Sequence, residues 1–352
     1  MRWFLGLLAV VALVLGVLYG VGFFLLPNSL EVTRTTAIER PRASVFAMIN
    51  DLRIAREWSP YNARDPDAEY EISEDPGPGQ AMRWSSSVRE VGAGTMRIVD
   101  SIENQSVETI IEITDRAMLN SRIDLQRVEN GTAVAWVVSA RCADGAINVP
   151  CRYMNLIMRS TIERDLDSGL ERLKDRAEQL PPQDFEGFDI VQIPVDRQDV
   201  IFVDVTLAKQ NPTLADRNLA ESQGVETLNR FFGQNPGQQP VPNTIVRVFP
   251  ANNGVDGVIR FSIGFPYTGP APLLVGVRAG QTPDGVALRA TVIGPRSRVP
   301  EMYPRIEAFR QAHRIALRPG VEAWEIATPA PQPEGADPAD PVERTEIFFP
   351  IE

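Results

Sequence analysis

The chain opens on an unbroken apolar run. Trp3 to Leu26, WFLGLLAVVALVLGVLYGVGFFLL, holds no charged side chain. A helix of that length, rising about 1.5 Å per residue, spans the roughly 30 Å hydrocarbon layer of a bilayer. Beyond Pro27 the pattern changes. LEVTRTTAI alternates as a strand does, and ERPRASVFAMINDLRIAREW then places Val45, Phe46, Ile49 and Leu52 on one helical face. Glu69 to Arg141 reads as short strands: EYEIS, AMRWSSSV, GTMRIVDSIE, SVETIIEIT, LNSRIDLQRV and TAVAWVVSAR. Their separators DPGPG, VGAG, ENQ and ENG supply the Gly, Asn and Pro that turns require. From about Tyr153 to Gln179, Leu156, Ile157, Ile162, Leu166, Leu170 and Leu173 recur at helical spacing. One strand, short helices, six antiparallel strands and a long last helix predict an α+β module in which a curved sheet wraps a helix.

QLPPQDFEGFD, with two prolines and little periodicity, marks a boundary. After it the pattern repeats. Strand DVIFVDVTLA, helix DRNLAESQGVETLNRFFG and strands TIVRVFP and VIRFSIGFP are followed by strand GVALRATVIGP, helix VPEMYPRIEAFRQAHRIAL and strands VEAWEIATP and RTEIFFP. Each unit is β-α-β-β and closes on Phe-Pro, at Phe265-Pro266 and Phe349-Pro350. Duplicated units of this kind pair about a pseudo-twofold axis and leave a cleft between them. PAPQPEGADPADP, Pro329 to Pro341, is too rich in proline and acids to pack and predicts a solvated hairpin tip. The expected organisation is therefore an anchor at 1–29, a sheet-and-helix domain at 30–180, a linker at 181–188 and a duplicated domain at 189–352.

Charge and composition narrow the chemistry. A formal net charge of −11 provides no basic footprint for phosphates, which argues against nucleic acid as a partner. The single histidine, His313, falls near the end of a predicted helix, where the dipole favours it; no metal or cofactor is expected. Cys142 and Cys151 are separated by eight residues in CADGAINVPC. In an oxidising compartment they can close a short loop worth about 2–3 kcal/mol; unlinked thiols are the other reading. A cleaved signal peptide has a shorter apolar core and a small-residue cleavage site, whereas Phe23 to Leu26 continue the run, so a retained single-pass anchor is expected. Arg2 ahead of the run sets the amino terminus in the cytoplasm and the soluble domains outside, on the periplasmic face of an inner membrane.

The first module resembles the SRPBCC superfamily of START-like and polyketide-cyclase-like domains. The matching pieces are TAIERPRASVF, NDL followed by EWSPYNARDP, GPGQAMRW, VGAGTMRI, TAVAWVV and DLDSGLERLK, and the resemblance covers about residues 30 to 180. It implies a helix-grip fold with a hydrophobic ligand cavity between sheet and long helix. Trp58, Tyr61, Trp84 and Trp136 are the aromatic residues to place around it; filling the core is their alternative use. Arg83 and Arg122 fall at solvated strand positions. The second half, 189–352, resembles the GyrI-like effector-binding domain, most clearly in VEAWEIATPAP followed by RTEIFFPIE. That resemblance implies a cleft for small, often cationic and aromatic molecules, with an acid in the strand corresponding to AWEI contacting the ligand. By position that acid is Glu325, beside Trp324; Tyr303 and Tyr267 are the tyrosines of this module.

In an alternating strand Glu325 shares a face with Val321, Ala323 and Ala327, while Glu322, Trp324 and Ile326 share the other. The resemblance puts Glu325 in the cleft. The leading expectation is a membrane-tethered binder of a small hydrophobic or cationic ligand. The alternatives are a hydrolase or cyclase using a desolvated glutamate as base, and a protein-interaction module of the cell envelope.

Overall fold

The computed structural model describes residues 2–73, 75–114, 117–143, 145, 148–208, 213–249, 258–270, 276–335 and 337–352. The chain divides into two compact units, residues 1–186 and 187–352. In the first, α1 (Arg2–Phe24) carries the opening apolar run. Its segment Gly6–Phe24 is long and apolar enough to cross a membrane, a property that anchors and signal sequences share.

β1 (Ser29–Ile38) follows, then three short helices, α2 (Arg42–Ile49), α3 (Leu52–Trp58) and α4 (Pro60–Arg64). Asp51 starts α3 by accepting the amide of Arg53 at 2.9 Å, and Pro60 opens α4, where its missing N–H has no helical partner to lose. The meander β2 (Glu69–Ile72), β3 (Ala81–Ser85), β4 (Ala93–Ile102), β5 (Ser106–Ile113), β6 (Ala117–Val128) and β7 (Gly131–Arg141) leads into α5 (Val149–Ala177). All seven strands form one antiparallel sheet in the order β1-β7-β6-β5-β4-β3-β2. A bulge in β4 between Ile98 and Asp100 bends it. The concave face closes on α5 through Ile162, Leu166, Leu170 and Leu173, which are buried with Val32, Ile98, Val134 and Val138.

The structure departs from the helical reading at one end. α5 begins at Val149, with Pro150 in its first turn, and the expected core positions Leu156 and Ile157 are exposed. Only the turns from Ile162 onward bury an apolar stripe against the sheet. Cys142 and Cys151 are joined in a disulfide that ties the end of β7 to the first turn of α5. Gly169 lets the helix approach the sheet, since a Cβ there would sit 2.5 Å from Trp136 Cζ3. Arg122 lies on the exposed face between Glu108 and Asp124.

The second unit contains β8 (Ile190–Val195), β9 (Asp199–Leu207), α6 (Leu214–Gln234), β10 (Gln239–Pro240), β11 (Ile245–Val248), β12 (Ile259–Thr268), β13 (Arg278–Gln281) and β14 (Gly285–Pro295). A 3₁₀ turn, Arg296–Glu301, precedes α7 (Met302–Ala312), and β15 (Trp324–Pro329) and β16 (Val342–Ile351) complete it. The main sheet runs β13-β9-β12-β11-β15-β16-β14-β8, with β10 paired to β12. About the β11–β15 seam the order mirrors itself, β9-β12-β11 against β15-β16-β14. Thr213 caps α6 with a reciprocal box to Asp216.

The second helix is shorter than its sequence pattern. Pro300 keeps its first turn 3₁₀, and the chain leaves the helix at His313, whose ring stacks on Phe309 while Arg314 takes a left-handed φ of 55°. β15 likewise begins only at Trp324, so Val321 and Ala323 share no strand face with Glu325. β8, β10 and β13 went unread; β8 and β13 are edge strands, and Pro194 suits such an edge.

The disulfide gives a direct stability test. Replacing Cys142 and Cys151 together by alanine should lower unfolding free energy by about 2–3 kcal/mol, the loop-closure entropy of so short a ring. Urea unfolding of the two proteins, and of the parent with and without reductant, measures it.

Candidate functional site

Two concave sites stand out, one in each unit. In the second unit, a cleft of about 570 Å³ lies above the sheet where the 3₁₀ turn, α7 and α6 approach it. Phe249, Phe261 and Tyr303 give it aromatic walls, with Ile259, Val299 and Pro300 between them, and Glu325 is its buried acid. Phe249 and Phe261 stack with ring centres 5.8 Å apart. The volume falls within the usual range for small-molecule sites.

Register explains why Glu325 is here. On β15 and β11 Glu325 stands directly opposite Arg247, which faces the helices between Val246 and Val248 pointing the other way. Arg247 is fully buried and gathers three acids. Glu221 of α6 accepts from its Nη2 at 2.7 Å and from its Nε at 3.2 Å. Glu343 accepts at 3.2 Å, and Glu325 Oε2 lies 3.8 Å from Nη1. Arg296 pairs with the other side of Glu221, and Tyr303 donates its hydroxyl to Glu325 Oε1 at 2.7 Å.

Three carboxylates against two guanidiniums leave the cluster one negative charge in excess when all are ionised. The electrostatics follow. Burial pushes the Glu325 carboxyl above its ordinary range, against the pull of Arg247 and of the Tyr303 hydrogen bond. Burial also raises the Tyr303 phenol, and the neighbouring Glu325 charge raises it further, so Tyr303 remains a donor. Arg247 would be lowered by burial alone, but Glu221 and Glu343 outweigh that and hold it charged. Burial lowers Arg296, and the like charge of Arg247 adds to that effect.

In the first unit the space between sheet and α5 holds a partly enclosed cavity of about 80 Å³. Trp58 and Trp136 meet edge to face at 5.5 Å in its wall, with Met82, Met96, Ile111, Leu119 and Ile162 around them. Each indole is satisfied elsewhere, Trp58 by the Met48 carbonyl at 3.1 Å and Trp136 by Ser121 at 2.9 Å, leaving the ring faces apolar. Polar groups gather at one side. Asp165 of α5 accepts the Tyr61 hydroxyl at 3.2 Å and pairs with Arg64. Burial, and then the Asp165 charge, push the Tyr61 phenol up, so it too stays protonated. Arg56 lies over the Tyr70 ring at 4.3 Å, and both line the cavity.

The candidates read from sequence are thus sorted. Glu325 and Tyr303 converge in one cleft, and Trp58, Tyr61 and Trp136 in one cavity. Three others do not join them. Trp324 points to the opposite face of its sheet, where it stacks on Phe348 at 4.8 Å and is buried, as alternation along β15 demands. Tyr267 packs near Phe232 outside the cleft lining. Trp84 donates to the Val91 carbonyl at 3.4 Å and lies over Gly94, outside the cavity lining.

Sequence reading missed Arg247, Glu221, Glu343, Arg296 and Asp165. Their signals were a charge inside the apolar strand IVRV and acids on the buried stripes of α6 and α5. Among the described residues no group of three or more His, Cys, Asp or Glu is placed to hold a metal ion.

Comparison with known proteins bears on the first unit. Residues 29–178 match the family model described as polyketide cyclase/dehydrase and lipid transport. No curated protein matches the chain. Among solved structures, the Zhui aromatase/cyclase from Streptomyces is 17% identical, over 43% of this chain and 94% of that one, with a TM-score of 0.33. A protein from Chromobacterium violaceum is 15% identical, over 43% of this chain and 99% of that one, with a TM-score of 0.29. A protein of unknown function from Staphylococcus aureus is 12% identical, over 43% and 97%, at 0.34.

The buried cluster predicts a sharp asymmetry between single and multiple substitutions. Arg247→Met takes the guanidinium from Glu325 and Glu343 and leaves Glu221 with Arg296 alone, and should destabilise the second unit by about 3–5 kcal/mol. Adding Glu221→Gln and Glu325→Gln to it should recover most of that loss, as read by urea unfolding followed by circular dichroism.

Proposed function

We propose that the chain is a membrane-anchored small-molecule-binding protein with two unlike sites, an apolar cavity in residues 30–180 and a cation-selective cleft in residues 189–352. The observation that carries it is Glu325, a buried carboxylate with a raised pKa in a ligand-sized cleft walled by aromatic rings. Among the described lining residues Glu325 is the acid, with the guanidiniums of Arg217 and Arg296 on the same lining, so an organic cation would have to seat against this one carboxylate, and the rings of Phe249, Phe261 and Tyr303 suit a flat one. In this reading the two β-α-β-β units are duplicated halves of a GyrI-like domain, and the mirrored strand order supports it. α1 is the retained anchor, with both soluble units periplasmic. The family match over residues 29–178 supports a small hydrophobic ligand in the first cavity.

The cavity is smaller than the usual 300–1,000 Å³ of ligand sites. A larger ligand therefore enters by displacing wall side chains, and the Arg56–Tyr70 contact belongs to that wall.

A second reading, a hydrolase or cyclase acting on a small substrate, is favoured by the Tyr303–Glu325 pair: an acid of raised pKa beside a protonated phenol is a base next to a hydrogen-bond donor. Turnover of a bound ligand that disappears in both Glu325→Gln and Tyr303→Phe, with binding retained, would favour it over simple capture.

Two measurements test the binding reading. In calorimetry with cationic aromatic dyes, Glu325→Gln should weaken binding by about 1.5–3 kcal/mol, the scale of a charged hydrogen bond. The pH dependence has a definite sign. Free Glu325 holds its proton to higher pH than an ordinary carboxyl, while a bound cation favours the ionised form, so binding releases a proton. Affinity should rise by up to about tenfold per pH unit below that raised pKa and level off above it; in Glu325→Gln this step should vanish. Equal dye affinity for parent and variant at every pH would refute the cleft assignment. For the cavity, Met96→Trp should abolish quenching of tryptophan fluorescence by a nitroxide-labelled fatty acid while leaving dye binding intact.

A further inference from the structure

The first turns of α5 are unlike the rest of that helix. Met154, Leu156 and Ile157 are 51%, 58% and 68% exposed, although the sequence gives them the apolar character of core positions. They extend a stripe that begins at Val149 and Tyr153, and that stripe is where α1 packs. Leu15, Leu18 and Tyr19 meet Val149, Pro150 and Tyr153 along one groove.

The crossing is built rather than incidental. Gly22 permits it, since a Cβ there would lie 2.7 Å from Tyr153 Cε2. Tyr153 donates its hydroxyl to the Leu18 carbonyl at 2.6 Å. Arg152 caps the end of α1, with Nη1 donating to the carbonyls of Phe23 at 2.7 Å and Leu26 at 3.1 Å, and its guanidinium lies 5.4 Å over the Phe23 ring. Behind it, the Cys142–Cys151 disulfide fixes the first turn of α5 to the sheet.

Depth follows from these contacts. The uncharged stretch of α1, Trp3–Phe24, rises roughly 33 Å, about 3 Å more than the hydrocarbon layer. Leu18 lies six residues before its end, roughly 9 Å along the axis. A bilayer that accommodates the whole segment therefore reaches the level at which Tyr153 touches α1. We infer that the first turns of α5 are embedded in the membrane interface beside α1, with Met154, Leu156 and Ile157 against lipid acyl chains. The inference rests on the reading of α1 as a retained anchor.

Lipid explains the chemistry of this end of α5. Three large apolar side chains are exposed on one short stretch, continuous with the apolar helix they flank. The α1 carbonyls at its C-terminal end, which have no helical donors, would be costly to leave unpaired at the edge of the hydrocarbon. Arg152 supplies the donor from a long stem that can keep its charge near the headgroups.

The test uses the full chain in phosphatidylcholine vesicles containing a lipid with a diazirine in its acyl chain. After illumination and trypsin digestion, adducts are quantified by mass spectrometry on the peptides Trp3–Arg34 and Tyr153–Arg159, with Val128–Arg141 of the sheet as reference. Both peptides should carry at least about fivefold more adduct than the reference. Leu156→Glu combined with Ile157→Glu should cut the Tyr153–Arg159 signal by about fivefold or more and leave Trp3–Arg34 labelled. Labelling of Trp3–Arg34 alone in the parent would overturn the inference while the anchor stands, whereas labelling of neither would overturn both. The parent protein decides this even if the double variant folds poorly.

Discussion

A guanidinium in an apolar interior must bring its counter-charges with it, and the second unit is organised by that requirement. Arg247 sits on the strand at the seam of the sheet, so the acids that neutralise it come from three different elements: Glu221 from α6, Glu325 from β15 and Glu343 from β16. The cluster thus locks one helix to three strands, β11, β15 and β16. It also leaves Glu325 with the longest separation from the charge it faces and, among the described residues, with one side-chain hydrogen bond, to Tyr303. Glu325 is thus less tightly paired with a guanidinium than Glu221, which is gripped by two arginines.

The first unit solves a different problem with one long helix. The inner half of α5 is an ordinary core helix whose Leu166, Leu170 and Leu173 fill the concave sheet. Asp165 interrupts that stripe where the cavity lies, and its charge is balanced by Arg64 and the Tyr61 hydroxyl. The outer half of the same helix meets α1 instead of the sheet. A single element therefore carries packing, cavity and junction at successive turns, which is why its sequence pattern looks uniform while its burial is not.

That contrast marks the limit of what the sequence discloses. Strands of the first sheet were legible because alternation and turn residues are local properties, and β2 to β7 fall where that pattern put them. Leu156 and Ile157 were misread because helical periodicity reports which side is apolar and not what covers it. Glu325 was singled out through a resemblance and Tyr303 only as one of the two tyrosines of its module, and the two side chains meet in one hydrogen bond. Trp324 was drawn to the site only by adjacency, and the two-residue period of a strand sends it to the other face. Arg247, the residue on which the cluster turns, had no visible partner in sequence because Glu221, Glu325 and Glu343 lie 26, 78 and 96 positions away.

The small volume of the first cavity carries a consequence for time rather than for affinity. A ligand larger than the roughly 80 Å³ available can associate only with molecules whose walls have already parted, or must part them itself. In the first case the observed association rate stops rising with ligand concentration once it reaches the rate of wall opening, and apparent affinity is reduced by the fraction of time spent open. The same closed wall, re-formed behind a bound molecule, slows its departure. If the cavity binds as proposed, it would act as a slow store, filling and emptying on the schedule of its own side chains and largely indifferent to brief changes in ligand supply.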